Sequence, residues 1–336
     1  MADSILVTGG AGYIGSHTVR HLQASGYKVV VLDNMVYGHE EAVLDRDVQL
    51  VKGDLNDEKL LAGLFKEQAF TAVVHFAAYA YVGESIHAPQ KYYLNNVVGS
   101  LNLLKAMNEY KCRNFVFSST CATYGNPQYT PMDENHPQDP INPYGMSKLM
   151  LERIVRDYHR AYGLNYVFLR YFNACGTSFD GKIGEDHDPE THLIPLVIRA
   201  VQNPEEPVTI FGEDYDTPDG TCIRDYIHVE DLADAHVMAL DSLLKGGESI
   251  ACNLGTGTGN SVKEVISMVE KVTGQTVPVK TGERRAGDPA RLIANPGKAK
   301  ELLGWQAKYT LEDSVRTAWN WFSAPHNGRY GGGRQL

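Results

Sequence analysis

Tyr144 and Lys148, in the stretch NPYGMSKLMLERIV, are the residues of the sequence best suited to acid–base chemistry. Residues at this spacing lie on one face of a helix, and Pro143 suits the first turn of such a helix. A phenol has a pKa of about 10, so a tyrosine acting as a base near neutral pH needs positive charge beside it. The spacing therefore predicts that the Lys148 ammonium lowers the pKa of Tyr144. The same pair can also occur on an exposed helix face with no chemical role.

A hydroxyl group ahead of this helix could position the same substrate oxygen. The stretch SSTCATYG follows the apolar run NFVF, which predicts a strand, and Thr120 lies where that strand should end. Loops at strand ends often carry catalytic side chains. We therefore interpret Thr120, Tyr144 and Lys148 as one catalytic set.

A glycine-rich turn near the N-terminus predicts a dinucleotide site. In ILVTGGAGYIGSHTVRHL, Gly9, Gly12 and Gly15 follow a predicted strand and precede a helical pattern. Glycines at this spacing permit a tight turn, close approach of the backbone to a pyrophosphate, and close packing of helix on strand. The N-terminus of the helix adds N–H donors and positive potential. An ordinary glycine-rich turn is the alternative interpretation.

Two acidic residues at later strand ends extend this site. Asp33 ends the run KVVVLD, where a carboxylate can accept hydrogen bonds from ribose hydroxyls. A carboxylate would repel a 2′-phosphate and no arginine directly follows, so the sequence favours NAD over NADP. Asp54, in the stretch KGD, is a candidate partner for the adenine amino group. Asp33 could instead be only a turn former.

Apolar runs without strict alternation, separated by helix-length segments, place these motifs on a parallel sheet. Runs of this kind are SILVTG, KVVVLD, VQLVKGD, TAVVHFAA, NFVFSST and NYVFLRYFN. They are typical of strands buried on both faces, and the intervening segments, among them Leu60–Gln68 and Val97–Tyr110, predict crossover helices. The predicted fold class is α/β, a Rossmann-type doubly wound parallel sheet with a smaller C-terminal α/β substrate-binding domain.

The regular alternation of predicted strands and helices ends near residue 173. This change of pattern predicts a division of the chain into two domains. Residues 1–173 would form the dinucleotide-binding domain and residues 174–330 the substrate-binding domain, with segments near 225–255 returning to the first sheet. Helices are expected at Ile194–Gln202, Val229–Leu244, Val262–Val272 and Leu311–Trp321, and a strand at PVTIFG. The glycine-rich residues 331–336 are expected to form a mobile tail.

Composition excludes several other classes of protein. The 336 residues carry 31 Lys and Arg against 41 Asp and Glu, a net charge of -10, and no long basic run for nucleic acid. No apolar run is long enough to span a membrane, and no secretory signal is recognisable, so a cytoplasmic location is expected. The five cysteines form no C-x-x-C pair, and the twelve histidines show no metal-binding spacing. We predict reduced thiols and no metal site.

Taken together, these motifs resemble the extended short-chain dehydrogenase/reductase superfamily and, within it, the UDP-glucose (UDP-galactose) 4-epimerases. The resemblance extends from TGGAGYIGSH to LGW, which ends at residue 305. Matching stretches between them are LDN, HFAA, VGES, YYLNNV, NPYGMSK, LRYFN, RDYIHVEDLA and RRAGDPA. The resemblance implies NAD as cofactor and a UDP-sugar as substrate.

The resemblance also implies a role for each member of the catalytic set. Tyr144 would remove the proton of the sugar 4-hydroxyl while hydride passes from C4 to tightly held NAD. Lys148 would bind the nicotinamide ribose and tune the tyrosine, and Thr120 takes the place of the usual serine. The resulting 4-keto sugar would turn over and take the hydride back on its other face.

Further contacts follow from the matching positions. By resemblance, cofactor contacts besides the glycine turn and the catalytic set are Tyr13, Ile14, Asp33, Asn34, Asp54, Leu55, Phe76, Ala77, Ala78, Asn95 and Phe172. Substrate contacts besides Thr120 and Tyr144 are Asn173, His192, Leu193, Phe211, Arg224, Arg285 and Asp288. A guanidinium offers paired donors to phosphate oxygens, so the two arginines suit a diphosphate, although either could instead belong to a surface ion pair.

The sequence departs from the family pattern at two positions. Ala80 stands where well-known bacterial members carry a lysine, and His192 where many members carry asparagine. Leu292 aligns with a position that gates N-acetylated sugars, and a leucine there would disfavour UDP-GlcNAc. The family is often dimeric, so a homodimer through Tyr92–Tyr110 and Lys148–Tyr162 is expected.

Four alternative functions are considered at this point. SSTCATYG also resembles UDP-arabinose (UDP-xylose) 4-epimerases, so hexose and pentose substrates are both possible. A 4,6-dehydratase would need an acidic residue next to Thr120, where the sequence has Cys121. A net oxidoreductase, which exchanges its NAD at each turnover, and a non-catalytic NAD-binding sensor share the same scaffold.

Overall fold

The computed structural model describes residues 3–44, 47–285 and 287–330. The strands are β1 Ser4–Thr8, β2 Lys28–Asp33, β3 Gln49–Lys52, β4 Ala72–His75, β5 Asn114–Thr120, β6 Asn165–Tyr171, β7 Asn173–Cys175, β8 Val208–Phe211, β9 Ile223–Arg224, β10 Tyr226–His228, β11 Ile250–Leu254, β12 Asn260–Ser261, β13 Val279–Gly282 and β14 Arg291–Leu292. The helices are α1 Tyr13–Ala24, α2 Glu41–Leu44, α3 Glu58–Glu67, α4 Val82–His87, α5 Pro89–Tyr92, α6 Ser100–Glu109, α7 Pro143–Tyr162, α8 Leu193–Gln202, α9 Val229–Leu244, α10 Val262–Thr273, α11 Gly297–Leu303 and α12 Leu311–Phe322. The tail predicted at 331–336 lies outside the described residues.

In the described part of the chain, the main sheet has seven strands in the order β11-β6-β5-β4-β1-β2-β3. All neighbouring pairs in it are parallel. The order of β1 to β6 is that of a doubly wound dinucleotide-binding sheet, whose ligand crevice lies outside the carboxyl ends of the strands. The predicted fold class is therefore confirmed.

Alternation along the strands divides the apolar side chains between two cores. On one face, Ile5 and Val7 pack with α1 and α9. On the other face, Leu6 packs with α3, α6 and α7. Successive side chains of a strand point to opposite faces, so strands covered on both sides are apolar throughout, as the sequence runs predicted.

The remaining strands form small sheets that carry the second part of the molecule. β7 pairs with β10, β8 with β13, and β9 lies between β12 and β14. Helices α8, α10 and α12 pack against one another and enclose an apolar core that includes Ile198, Val265 and Val315. The chain returns to the main sheet through α9 and the edge strand β11. The domain boundary at residue 173 stays a prediction.

The predicted helices occur, with one difference in helix type. The helix expected at Val229–Leu244 is α9 with the same bounds. The segment expected as one helix over Val97–Tyr110 begins as a π-helix over Tyr93–Gly99 and continues as α6. Wide i→i+5 turns of this kind arise from a local insertion into an α-helix and are frequent at functional sites. No helix among the described residues has the length and apolar character needed to cross a membrane.

An ionic contact ties α1 to α9 on one face of the main sheet. His21 Nδ1 lies 2.8 Å from Asp234 Oδ1, and His21 Nε2 contacts Glu230. Although partial burial lowers the pKa of His21, the two carboxylates outweigh it and raise that pKa to about 9. The histidine is therefore charged in the folded protein at neutral pH.

We expect replacement of His21 by glutamine to remove a pH-dependent part of the stability. The folded pKa lies above the ordinary value, so the stabilisation is fully present below about pH 6.5 and is lost as the pH rises through about 9. The difference in unfolding free energy between parent and His21→Gln should fall from about 1–3 kcal/mol at pH 6 to near zero at pH 10. Denaturant titrations at each pH measure it. The exposed His87, at the end of α4, provides a control in His87→Gln, and a pH-independent difference would contradict the expectation.

Candidate active site

The first turn of α7 lies against the carboxyl end of β5. Asn142 caps the helix, because its Oδ1 accepts the backbone N–H of Gly145 at 2.8 Å, and Pro143 occupies the first turn. A Cβ atom at Gly145 would lie 2.4 Å from the carbonyl oxygen of Ala122, so only a glycine allows this approach. The close contact brings Tyr144 near Thr120, whose side chain affects the pKa of the phenol.

Lys148 lies one helical turn beyond Tyr144 and is buried. Its Nζ donates to the carbonyl oxygen of Ser118 at 2.8 Å and lies 6.0 Å from the ring centroid of Tyr144. Burial lowers the pKa of Lys148 to about 7. The structure thus brings together the three residues that the sequence assigned to catalysis, at the carboxyl end of β5.

The expected effect of Lys148 on Tyr144 is wrong for the protein's own groups. Burial raises the pKa of Tyr144 above its ordinary value, and the nearby Tyr171 adds to this, while the Thr120 side chain opposes it. Lys148 is not a cause of the shift, because its ammonium contacts the Ser118 carbonyl rather than the phenol. The spacing of two residues in the sequence shows that they share one face of a helix, but it does not show how deeply their side chains are buried.

The glycine turn between β1 and α1 has no room for a side chain at Gly9 or at Gly15. Gly9 has a φ of +73°, and a Cβ there would lie 2.5 Å from the backbone nitrogen of Ala77. A Cβ at Gly15 would lie 2.2 Å from the carbonyl oxygen of Gly9. At Gly12, the N-cap of α1, no side chain caps the helix. The helix N-terminus therefore presents backbone donors beside a turn of small residues, which fits a pyrophosphate.

Asp33 has a second role that the sequence did not reveal. Its carboxylate accepts the backbone N–H of Ala11 at 3.0 Å and that of Met35 at 2.9 Å, so it holds the glycine turn to the end of β2. Burial raises the pKa of Asp33, against the effect of these bonds. Each carboxylate oxygen accepts more than one hydrogen bond, so the group still fits a ribose hydroxyl.

The other predicted cofactor residues are distributed along the same edge of the sheet. Asn34 donates to Asp54 at 2.8 Å beyond the ends of β2 and β3. Asn95, in the π-helical stretch, donates from Nδ2 to Asn96 Oδ1 at 2.9 Å. Two of the others, Tyr13 and Ile14, begin α1, and the rest lie within three residues after the end of a strand: Leu55, Phe76, Ala77, Ala78 and Phe172. This edge is where open α/β sheets bind ligands.

Four of the predicted substrate residues form two contacting pairs. Arg224 Nη2 donates to Asp288 Oδ1 at 2.9 Å. The Arg285 guanidinium carbon lies 4.0 Å from the ring centroid of Phe211. Asn173 donates twice to the carbonyl oxygen of residue 225, next to Arg224. Leu292 pairs with Arg224 between β14 and β9, and His192 and Leu193 begin α8.

Sequence reasoning missed the acidic surroundings of His192. Its Nδ1 lies 2.7 Å from Glu185 Oε1 and 2.9 Å from Glu190 Oε1, and His187 is a further neighbour. Burial lowers the pKa of His192, but the two carboxylates outweigh it and raise that pKa well above its usual range. The signal available in the sequence was the spacing E-x-H-x-x-E-x-H from residue 185 to residue 192.

A buried ion pair joins α7, the helix that carries Tyr144 and Lys148, to the main sheet. Arg170 on β6 donates to Glu152 on α7 from Nε at 2.8 Å and from Nη2 at 2.5 Å. The hydroxyl of Ser119, next to Thr120, donates to the same carboxylate at 2.7 Å. Paired charges with satisfied hydrogen bonds are costly to separate, so this contact fixes α7 against β5 and β6.

Comparison with known proteins agrees with this geometry. A family model described as the NAD dependent epimerase/dehydratase family matches residues 5–255. The chain belongs to this family. The match covers the glycine turn, the catalytic set and β11, which ends at residue 254.

Individual members of the family are similar over nearly the whole chain. The UDP-glucose 4-epimerase of Rhizobium meliloti (strain 1021) is 52% identical over 326 residues, which are 97% of this chain and 99% of that protein. The crystal structure of the Brucella ovis UDP-glucose 4-epimerase in complex with NAD is 50% identical, with a TM-score of 0.93 and coverage of 97% and 99%. The Bifidobacterium longum enzyme, in complex with NAD+ and UDP, is 40% identical, with a TM-score of 0.91 and coverage of 97% and 100%.

Proposed function

We propose that this protein interconverts the C4 epimers of a UDP-sugar, UDP-glucose and UDP-galactose, with NAD as its cofactor. The observation that carries the proposal is the convergence of Thr120, Tyr144 and Lys148 at the end of β5. The family match and the named relatives supply the reaction that such a set performs.

The chain's own residues account for proton transfer and orientation. Tyr144 accepts the proton of the sugar 4-hydroxyl and later returns it, while Thr120 orients the same oxygen. The Lys148 ammonium, held by the Ser118 carbonyl 6.0 Å from the centroid of the Tyr144 ring, is placed to bind the nicotinamide ribose. When bound, NAD supplies a hydride acceptor for the sugar C4 and a positive charge that lowers the pKa of the Tyr144 phenol. The general base is thus active only when the site is filled, because burial alone keeps the phenol protonated.

The sugar must turn between the two hydride transfers, so it cannot be held by many strong contacts. Strong contacts to the nucleotide part of the substrate are therefore expected to supply most of the binding energy. Arg224 and Arg285 are suited to the diphosphate as bidentate donors. Each is already oriented, Arg224 by Asp288 and Arg285 by the face of Phe211. Arginines held in place before binding lose less side-chain entropy when they engage phosphate.

Incubation of the purified protein with UDP-glucose, without added NAD, tests this proposal. We expect UDP-galactose to form, as seen by chromatography. Parallel incubations with UDP-arabinose, UDP-xylose and UDP-GlcNAc show which sugar the protein epimerises fastest. Release of NAD on denaturation without any epimer product would favour the sensor. A 4-keto-6-deoxy product would favour the dehydratase.

We expect Gly15→Ala to remove the bound cofactor. The new Cβ would meet backbone atoms of Gly9 and Gly10 at 2.2–3.0 Å, so the turn must move away from α1. Overpacking of this kind costs about 1–3 kcal/mol. The NAD released per chain on denaturation, measured enzymatically, should fall well below that of the parent. Gly63→Ala in α3, where a Cβ meets nothing within 4 Å, is the matched control, and equal NAD content in both variants would contradict the expectation.

The proposal extends to a cytoplasmic homodimer. The apolar side chains of Leu94, Val98 and Met150 are 50%, 40% and 38% exposed, and they lie on the two helical segments expected to form the interface. Contiguous exposed apolar side chains are often covered by a partner. The free cysteines Cys112, Cys121, Cys175, Cys222 and Cys252 suit a reducing compartment. A monomer mass in light scattering would exclude the dimer.

A further inference from the structure

The loop between β7 and α8 gathers two glutamates and two histidines at one place. One candidate ligand atom from each of Glu185, His187, Glu190 and His192 lies within 4.8 Å of all the others. His192 Nδ1 is 2.7 Å from Glu185 Oε1 and 2.9 Å from Glu190 Oε1. His187 Nδ1 is 3.0 Å from Glu185 Oε1 and 3.8 Å from Glu190 Oε2.

These separations are close to those around a tetrahedral metal ion. Zn²⁺ bound to nitrogen and oxygen at about 2.0–2.2 Å keeps its ligand atoms roughly 3.3–3.6 Å apart. The three separations that involve Glu185 Oε1 or Glu190 Oε1 are 2.7–3.0 Å, slightly below that range, and His187 Nδ1 lies 3.8 Å from the other Glu190 oxygen, slightly above it. The four candidate ligand atoms are therefore already gathered at about the spacing that one bound ion requires.

The surroundings favour a cation and keep the ligands in place. The side chains of Glu185 and Glu190 are only 3% and 2% exposed, and two adjacent buried carboxylates need compensating positive charge. The rings of Tyr13 and Tyr81 contact His187 edge-on, at 6.0 Å and 6.2 Å between ring centroids. His192 is 44% exposed, which gives an ion a path from solvent.

The types of ligand select the class of metal. Two imidazoles and two carboxylates suit Zn²⁺ and other first-row transition metals, whereas Mg²⁺ and Ca²⁺ prefer oxygen ligands alone. In the protein alone the same groups form imidazole–carboxylate pairs, so an ion would displace protons from the histidines as it binds.

We propose that Glu185, His187, Glu190 and His192 form a binding site for one divalent transition-metal ion of the Zn²⁺ class. Its ligands would be the two imidazole Nδ1 atoms and one oxygen of each carboxylate. The site shares no residue with the catalytic set of Thr120, Tyr144 and Lys148. Metal binding there does not depend on the proposed function. In an epimerase, the ion would hold His192, a predicted substrate contact, and so would inhibit turnover.

Titration of the full-length, chelator-treated protein with ZnCl2 in a calorimeter tests the proposal. We expect one Zn²⁺ per chain, no comparable heat with MgCl2, and intense visible absorption of the four-coordinate type when Co²⁺ replaces Zn²⁺. His187→Gln and Glu185→Gln should each weaken Zn²⁺ binding at least tenfold. His87→Gln, which removes an exposed histidine on α4, should bind as the parent does.

Three results would overturn the proposal. These are no stoichiometric uptake by the parent, Zn²⁺ affinities in His187→Gln and Glu185→Gln equal to that of His87→Gln, or the weak absorption typical of six-coordinate Co²⁺. The two ligand variants remove different side chains, so misfolding of one leaves the other as a test. None of these measurements uses turnover, so a failure here is distinct from a failure of the epimerase assay.

Discussion

Tyr144→Phe should lower kcat for 4-epimerisation by about 10²–10⁴-fold, because the variant keeps the ring but loses the only atom of that side chain able to accept the proton. Both directions of the reaction should slow by the same factor, since the same group removes and returns the proton. Chromatographic rates with UDP-glucose and UDP-galactose measure the effect. KM for the nucleotide sugar should change little, because the nucleotide contacts lie elsewhere.

Tyr162→Phe is the matched control for this experiment. Tyr162 is the last residue of the same helix and is 49% exposed, so loss of its hydroxyl should leave kcat unchanged. The NAD content of Tyr144→Phe should equal that of the parent, which separates lost chemistry from lost cofactor. A Tyr144→Phe enzyme with the parent's kcat would remove the general base from the mechanism.

Lys148→Met should also cost about 10²–10³-fold in kcat, through the loss of charge from a buried position. The methionine fills similar volume but leaves the Ser118 carbonyl without its donor at 2.8 Å and the phenol without a neighbouring cation. The pH profile should also change, because the buried ammonium of Lys148, whose pKa burial lowers to about 7, no longer titrates. Initial rates from pH 6 to pH 10 measure both changes.

Lys105→Met on α6 is the control for the lysine experiment. The Lys105 side chain is 65% exposed, and its partner Glu58 is also exposed, so this variant should keep the parent's rate and pH profile. If Lys148→Met lost activity with an unchanged pH profile, Lys148 would act in binding alone and not through its charge.

The sequence predicted those parts of the fold and the site that depend on local rules. The glycine turn, the strand ends carrying Asp33 and Thr120, and the shared face of Tyr144 and Lys148 all follow from short-range spacing. Because strands buried on both faces are apolar throughout, six strands of the main sheet could be read as short apolar runs.

Features that depend on contacts distant in sequence were missed. The direction of the Tyr144 pKa shift follows from how deeply the fold buries the phenol, which no spacing reveals. The hydrogen bond that Asp33 accepts from Ala11 in the glycine turn depends on two strand ends meeting. The cluster around His192 was overlooked because its spacing matches no familiar metal motif, although all four residues lie within one loop.

The position of β11 limits how the protein can be divided. This strand comes from residues 250–254 but hydrogen-bonds along β6, and α9 just ahead of it covers the strands beside the glycine turn. A fragment that stopped after residue 173 would leave β6 as an unpaired edge and would expose the apolar side chains that α9 covers. Such a fragment would tend to aggregate, so a minimal dinucleotide-binding unit of this enzyme would have to include the polypeptide up to about residue 255.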